Sequence, residues 1–215
     1  MIRYFFAVTL LAVSSSIGVL DSTLAGEFNS VLSIGDEAPT WADLPGVDGK
    51  RHGSTELGDQ LAVVVAFTCN SCPYAVDVEE RLKWVHDNYS PRQVAVVAIN
   101  VNTIDEDSFD AMKEKANSKA FAFTYLFDES QQIAKRFGAK YTPEFFVLGA
   151  KDDDGKRHVV YMGSMDDRPD GKNVTQPFVA NAVDALLDGK PLELTETVPI
   201  GCQIRFQRER RTRKK

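Results

Sequence analysis

Leu61-Ala62-Val63-Val64-Val65-Ala66-Phe67 runs without a charge into Thr68 and then into Cys69-Asn70-Ser71-Cys72-Pro73. A short, β-branched, continuously apolar run reads as a strand buried on both faces. The proline after the second cysteine suits the first position of a helix, where its missing N–H costs nothing. Two residues between the thiols put both sulfurs on one turn, close enough to close a small disulfide. A helix N-terminus there favours thiolate. Taken alone, the motif fits either a redox pair or half of a zinc site, which needs four ligands. Only Cys202 and the scattered His52, His86 and His158 remain to complete such a site, so no metal and no cofactor is expected.

Working outward, Ala75, Val78, Leu82, Val85 and Tyr89 step by three and four, which predicts an amphipathic helix from Pro73 that stops before Pro91. Val94 to Ile99 reads as a second buried strand. Asp107 is placed to cap a helix carrying Phe109, Met112, Ala116 and Ala120. Phe123 to Phe127 gives a third strand, and Ser130 opens a brief helix ended by Gly138. Thr142-Pro143 leads into the strand Glu144 to Leu148. The turn Asp152-Asp153-Asp154-Gly155 then returns the chain through Arg157 to Met162 as a hairpin, and a last helix spans Gln176 to Leu187. This order predicts an α/β fold with a central mixed sheet flanked by helices.

The chain has 215 residues, 43% of them hydrophobic, and a net charge of −6. That suits one well-filled domain. Arg3, the apolar stretch from Tyr4 to Leu11 and the small residues before Gly26 read as an export signal over residues 1–25, cut after Ala25. Export would place the thiols in an oxidising compartment, periplasmic or extracellular. If the segment is uncut it becomes a membrane anchor. Residues 26–33 are expected to form a short, loosely ordered linker, 34–206 the domain, and 207–215 a basic, disordered tail. Arg205 to Lys215 holds seven basic side chains, yet the body offers no basic patch, so no nucleic-acid partner is expected.

Phe67-Thr68-Cys69-Asn70-Ser71-Cys72-Pro73, Tyr141-Thr142-Pro143 before a strand, and Tyr161-Met162-Gly163 in the hairpin partner together resemble the thioredoxin superfamily. More narrowly they resemble its exported redoxin branch of TlpA-like and AhpC/TSA-like proteins, and the likeness covers roughly Ile34 to Phe206. Gly35, Ala38-Pro39 and Asp48-Gly49-Lys50 are similar to that branch's N-terminal β extension. The resemblance implies a thiol–disulfide oxidoreductase with Cys69 as exposed attacking thiolate and Cys72 as buried resolving thiol. Pro143 would be the cis-proline, presenting the backbone of Thr142 to an extended substrate segment. Partners would be protein disulfides or dithiols and a redox donor or acceptor.

The sequence departs from that pattern in places. Thr68 stands where thioredoxins proper carry tryptophan, Asn70-Ser71 replaces Gly-Pro, and Val63 occupies the position of a buried acid. Glu144 either substitutes for that acid or is a solvated strand-edge residue. Asp166 and Asp167 lie in a polar loop that can reach the rim of such a site. Cys202 is either a structural or free cysteine or a third redox thiol. A peroxidase reading is weakened by Ala66, because peroxidases of this branch want threonine or serine three positions before the reactive cysteine. A copper-handling module, with His158 as distant ligand, is weakened by the spacing of the cysteines.

Overall fold

A computed structural model describes residues 26–207. The export-signal segment and residues 208–215 of the basic tail lie outside the described residues. In chain order the elements are β1 (Leu44–Pro45), β2 (Arg51–His52), β3 (Ala62–Thr68), α1 (Pro73–Asp77), α2 (Glu79–Tyr89), β4 (Val94–Asn100) and α3 (Phe109–Lys119). After these come β5 (Thr124–Phe127), α4 (Gln132–Phe137), β6 (Tyr141–Thr142), β7 (Glu144–Leu148), β8 (Val159–Gly163), α5 (Phe178–Asp188) and β9 (Cys202–Gln203).

The central sheet has the order β5-β4-β3-β7-β8. β3 pairs parallel with β4 and antiparallel with β7, so the sheet is mixed and β3 lies at its centre. Both faces of β3 are covered, which is why its sequence does not alternate. Val64 and Ala66 pack with Leu82, Val85, Phe145 and Val183 on one side, while Val63, Val65 and Phe67 pack with Ile133, Phe137 and Phe146 on the other. The strand therefore ends at a fixed point, and the two cysteines follow it directly.

Three expectations change. The helix after Pro73 is divided at Val78, whose backbone stays right-handed (φ −89°, ψ −9°) while the apolar stripe continues across the break. The cap of α3 is Ser108, whose hydroxyl accepts from the Ala111 amide, and not Asp107. Residues 26–33 are packed against the domain and are not a loose linker. Asn29 is buried, donates to the Phe137 carbonyl at 2.8 Å and accepts from the amides of Val31 and Leu32. Gly138 ends α4 with φ +67°, and a Cβ there would lie 2.3 Å from the Asn29 amide oxygen.

The C-terminal segment is also tied down. Gln131, buried, donates to the carbonyls of Val101 and Arg205 and accepts from the Gln207 amide. Ile204 sits in the core and donates to the Lys140 carbonyl. These contacts hold β9 against β6, with Cys202 opposite Thr142. Among the described residues no helix is long and apolar enough to cross a membrane.

Candidate active site

Cys69 leaves the end of β3 and Cys72 caps the start of α1, with Pro73 in its first turn. All three cysteines are free thiols. Cys69, Cys72 and Ala75 form a small apolar cluster against which Cys202 packs. Across from them the Thr142–Pro143 peptide is cis. Thr142 is wholly buried and meets both sulfurs. Its hydroxyl lies 3.4 Å from Cys69 Sγ, and its carbonyl oxygen accepts from Cys72 Sγ at 2.9 Å.

The loop between the cysteines is fixed by residues from the next strand–helix unit. Asp107, fully buried, accepts from the Asn70 amide at 2.6 Å and the Ser71 amide at 2.8 Å through Oδ1, and from the Ser71 hydroxyl at 2.7 Å through Oδ2. Its own position is held by Asn100, which donates to the Asp107 carbonyl. Asn70 accepts from the Tyr125 hydroxyl and donates to the Glu106 carbonyl. Lys115 donates to the Asn70 carbonyl and pairs with the buried Glu79. Each bond to a charged group of this kind contributes about 1.5–3 kcal/mol. A carboxylate just before a helix reads as a cap from sequence alone, so this role was not visible there.

Burial corrects one expectation. Cys69, expected as the exposed member of the pair, is 2% exposed, and Cys72 is 3% exposed. Asp107 fixes the loop that follows Cys69, and Thr142 contacts both sulfurs.

The two thiols titrate as a pair. The hydrogen bond between the sulfurs is the largest cause in both, drawing Cys72 down to about 5 and, together with burial, pushing Cys69 up. Counting the sulfurs alone thus puts the first charge on Cys72. The surrounding dipoles oppose that. A carbonyl oxygen can only accept, so the Thr142 carbonyl at 2.9 Å requires a proton on Cys72, while the Thr142 hydroxyl can donate to a charged Cys69. These two contacts favour charge on Cys69 and a proton on Cys72.

Glu144 is not a solvated strand-edge residue. It is 4% exposed and accepts from the amides of Lys140 and Tyr141, the residues that lead into Thr142. Burial raises its carboxyl to about 7. Val63, at the position of the missing acid, is an ordinary core residue. Thr68 ends β3, half-buried, and its carbonyl accepts from the Val101 amide.

Asp166 and Asp167 separate. Asp166 is buried, pairs with Arg81 at 2.9 Å, and lines a groove with Tyr74, Pro143, Met165 and Ile200. Asp167 instead caps the turn before α5, accepting from Thr175 and Gln176. Those hydrogen bonds hold its carboxyl down at about 2. His158 is engaged by Asp152 and the Gly35 carbonyl. Among the described residues no cluster of three or more His, Cys, Asp or Glu is arranged to hold a metal ion.

No curated protein matches the chain. A hypothetical protein of Sinorhizobium meliloti 1021 is 35% identical with a TM-score of 0.75, over 83% of this chain and 97% of that one. An uncharacterized conserved protein of Geobacillus kaustophilus is 35% identical with a TM-score of 0.75, over 82% of this chain and 94% of that one. A thiol:disulfide interchange protein of the thioredoxin family from Chlorobium tepidum TLS shares the fold at 18% identity, with a TM-score of 0.52 over 73% of this chain and 97% of its own. The AhpC/TSA family matches residues 34–156, which hold the central strand, both motif cysteines and Pro143. The chain is thus a member of the AhpC/TSA family, on the redoxin branch of the thioredoxin superfamily.

Proposed function

We propose that the protein is an exported thiol–disulfide oxidoreductase that exchanges a Cys69–Cys72 disulfide or dithiol with protein substrates. The observation that carries this reading is the placement of both thiols against one residue, with the Thr142 carbonyl holding the Cys72 proton and the Thr142 hydroxyl facing Cys69. In the reducing direction, Cys69 thiolate attacks one sulfur of a substrate disulfide. A Cys69–substrate bond forms, and the other substrate sulfur leaves as thiolate. Cys72 then gives up its proton and attacks Cys69 Sγ, forming the Cys69–Cys72 bond and releasing the second substrate thiol. Two electrons pass from the dithiol to the substrate, and the reverse steps oxidise it.

The groove beside Pro143, flanked by the exposed Tyr74 and Ile200, suits an extended substrate segment with apolar side chains. Mixing the reduced protein with a disulfide-bonded peptide should give stoichiometric peptide thiols within one turnover. Unchanged peptide disulfide would contradict the assignment. Export rests on Arg3 and the apolar run behind it. N-terminal sequencing of protein from the extracytoplasmic fraction should begin at Gly26, and an uncut chain retained in the cytosol would count against it.

The burial of Cys69 favours one further reading, a peroxidase, since a peroxide is small enough to reach a thiolate that is 2% exposed. Cys69 thiolate would attack one peroxide oxygen, the O–O bond breaking as the other oxygen leaves as water or alcohol; Cys72 would then attack the Cys69 sulfenic sulfur, whose oxygen leaves as water as the disulfide forms. Rapid peroxide consumption by the reduced protein would select this reading over the first.

A further inference from the structure

Cys202 lies far from the motif in sequence but belongs to the same cluster of sulfurs. β9 pairs with β6 so that Cys202 stands opposite Thr142, the residue whose carbonyl accepts from Cys72. Cys202 packs against the cluster formed by Cys69, Cys72 and Ala75. The approach is close enough to dictate the preceding residue. A Cβ on Gly201 would lie 2.4 Å from the Thr142 carbonyl oxygen and 3.0 Å from the Pro143 nitrogen. Only glycine lets this strand press against the site. Cys202 is also the half-exposed member of the three, whereas Cys69 and Cys72 are buried.

The geometry points to a dithiol relay in which Cys202 takes over the disulfide from Cys69 and presents it, as Cys72–Cys202, to an external dithiol. The inference rests on the exchange reading above and adds the route by which the pair is reset. In the first step Cys202 attacks Cys72 Sγ of the Cys69–Cys72 disulfide. The Cys72–Cys202 bond forms and the Cys69–Cys72 bond breaks. The Cys202 proton goes to the leaving Cys69 sulfur, so there is no net oxidation or reduction.

In the second step a thiolate of the external dithiol attacks the sulfur of the half-buried Cys202, and Cys72 leaves as thiolate. The second external thiol then attacks its own sulfur in the mixed disulfide and releases Cys202. The external dithiol is oxidised to a disulfide, and the protein regains three thiols. Surroundings match the roles. Cys202 is held protonated at rest, raised to about 11 chiefly by burial, and it packs against Cys72.

The test uses the full chain, oxidised with one equivalent of diamide, quenched in acid, alkylated and mapped by mass spectrometry without reduction. Wild type should yield Cys72–Cys202 beside Cys69–Cys72, and Cys69→Ser should yield an intramolecular Cys72–Cys202 bond. Dithiothreitol should reduce oxidised wild type about tenfold faster than Cys202→Ser, whose remaining disulfide sulfurs are both buried. The relay is overturned if Cys202 is fully alkylated in all oxidised wild type, or if Cys69→Ser links only between molecules. Wild type that forms Cys69–Cys72 and reduces peptide disulfides, yet never forms Cys72–Cys202, would sink the relay and leave the exchange reading standing. Failure of Cys69-dependent exchange itself would sink that reading instead.

Discussion

Two buried carboxylates clamp the two sides of this site, and they do it in the same way with different consequences. Asp107 accepts from the consecutive amides of Asn70 and Ser71 and so fixes the loop that carries the thiols. Glu144 accepts from the consecutive amides of Lys140 and Tyr141 and so fixes the strand that carries Thr142. Asp107 gains a third bond from the Ser71 hydroxyl, whereas Glu144 lies in a surrounding that raises its carboxyl to about 7. The motif side is held by a dense polar network. The Thr142 side is held by a group that changes charge near neutral pH.

Removing the denser clamp should have the largest effect. Asp107→Ala strands two backbone donors and a hydroxyl, and at about 1–3 kcal/mol for each buried unsatisfied group it should cost about 3 kcal/mol or more in denaturant unfolding. A loss below about 1 kcal/mol would mean that water replaces the carboxylate readily.

On the other side, pH does the work. The Glu144 carboxyl is raised from an ordinary 4.5 to about 7 in the fold, so its contribution is fully present below pH 4.5 and is lost as pH rises through 7. At 1.36 kcal/mol per unit the loss approaches about 3 kcal/mol by pH 8. Glu144→Gln keeps an oxygen for both amides and removes the charge. Its unfolding free energy should therefore stay level between pH 5 and 8 while that of wild type falls, and parallel curves would contradict the assignment.

Smaller effects should separate positioning from charge at the sulfur. The Asp107 charge raises Cys69, and the Thr142 hydroxyl lowers it. Thiolate absorbance should accordingly titrate at lower pH in Asp107→Asn and at higher pH in Thr142→Val. Shifts of the same sign in both variants would mean that loosening of the site outweighs electrostatics. The smallest change is expected at the groove. Arg81→Met leaves Asp166 without its 2.9 Å partner, so it should weaken substrate capture while leaving thiolate absorbance as in wild type.

The same contrast explains what could be read from the chain alone. The apolar runs Val63 to Phe67, Val94 to Ile99 and Phe145 to Leu148 are unbroken because both faces of the sheet are covered, so the place of these strands was legible. The cysteines after β3, Pro73, and Pro143 before β7 were legible for the same reason, since each adjoins one of those strands. Asp107 was not, because Ser108 beside it caps the helix and nothing local says that the aspartate turns toward Asn70 and Ser71. Glu144 was equally hidden. Strand position says which residues it pairs with, but not that the chain entering β6 bends its amides back onto it. Cys202 reaches the site through the β6–β9 pairing, a contact between two-residue strands too short to leave a periodic signal. The expected exposure of Cys69 failed because Thr142 packs against its sulfur and Asp107 holds in place the loop that follows it.

The central claim is that Cys69 is the thiol that meets substrate and Cys72 the one that resolves it. Cys72→Ser, expressed as the full chain in cells and acid-quenched, tests it most directly by non-reducing electrophoresis and peptide mapping. Mixed disulfides joined through Cys69 should accumulate and disappear when Cys69 is also replaced. Adducts joined through Cys202 alone, or the absence of any Cys69-dependent adduct, would contradict it.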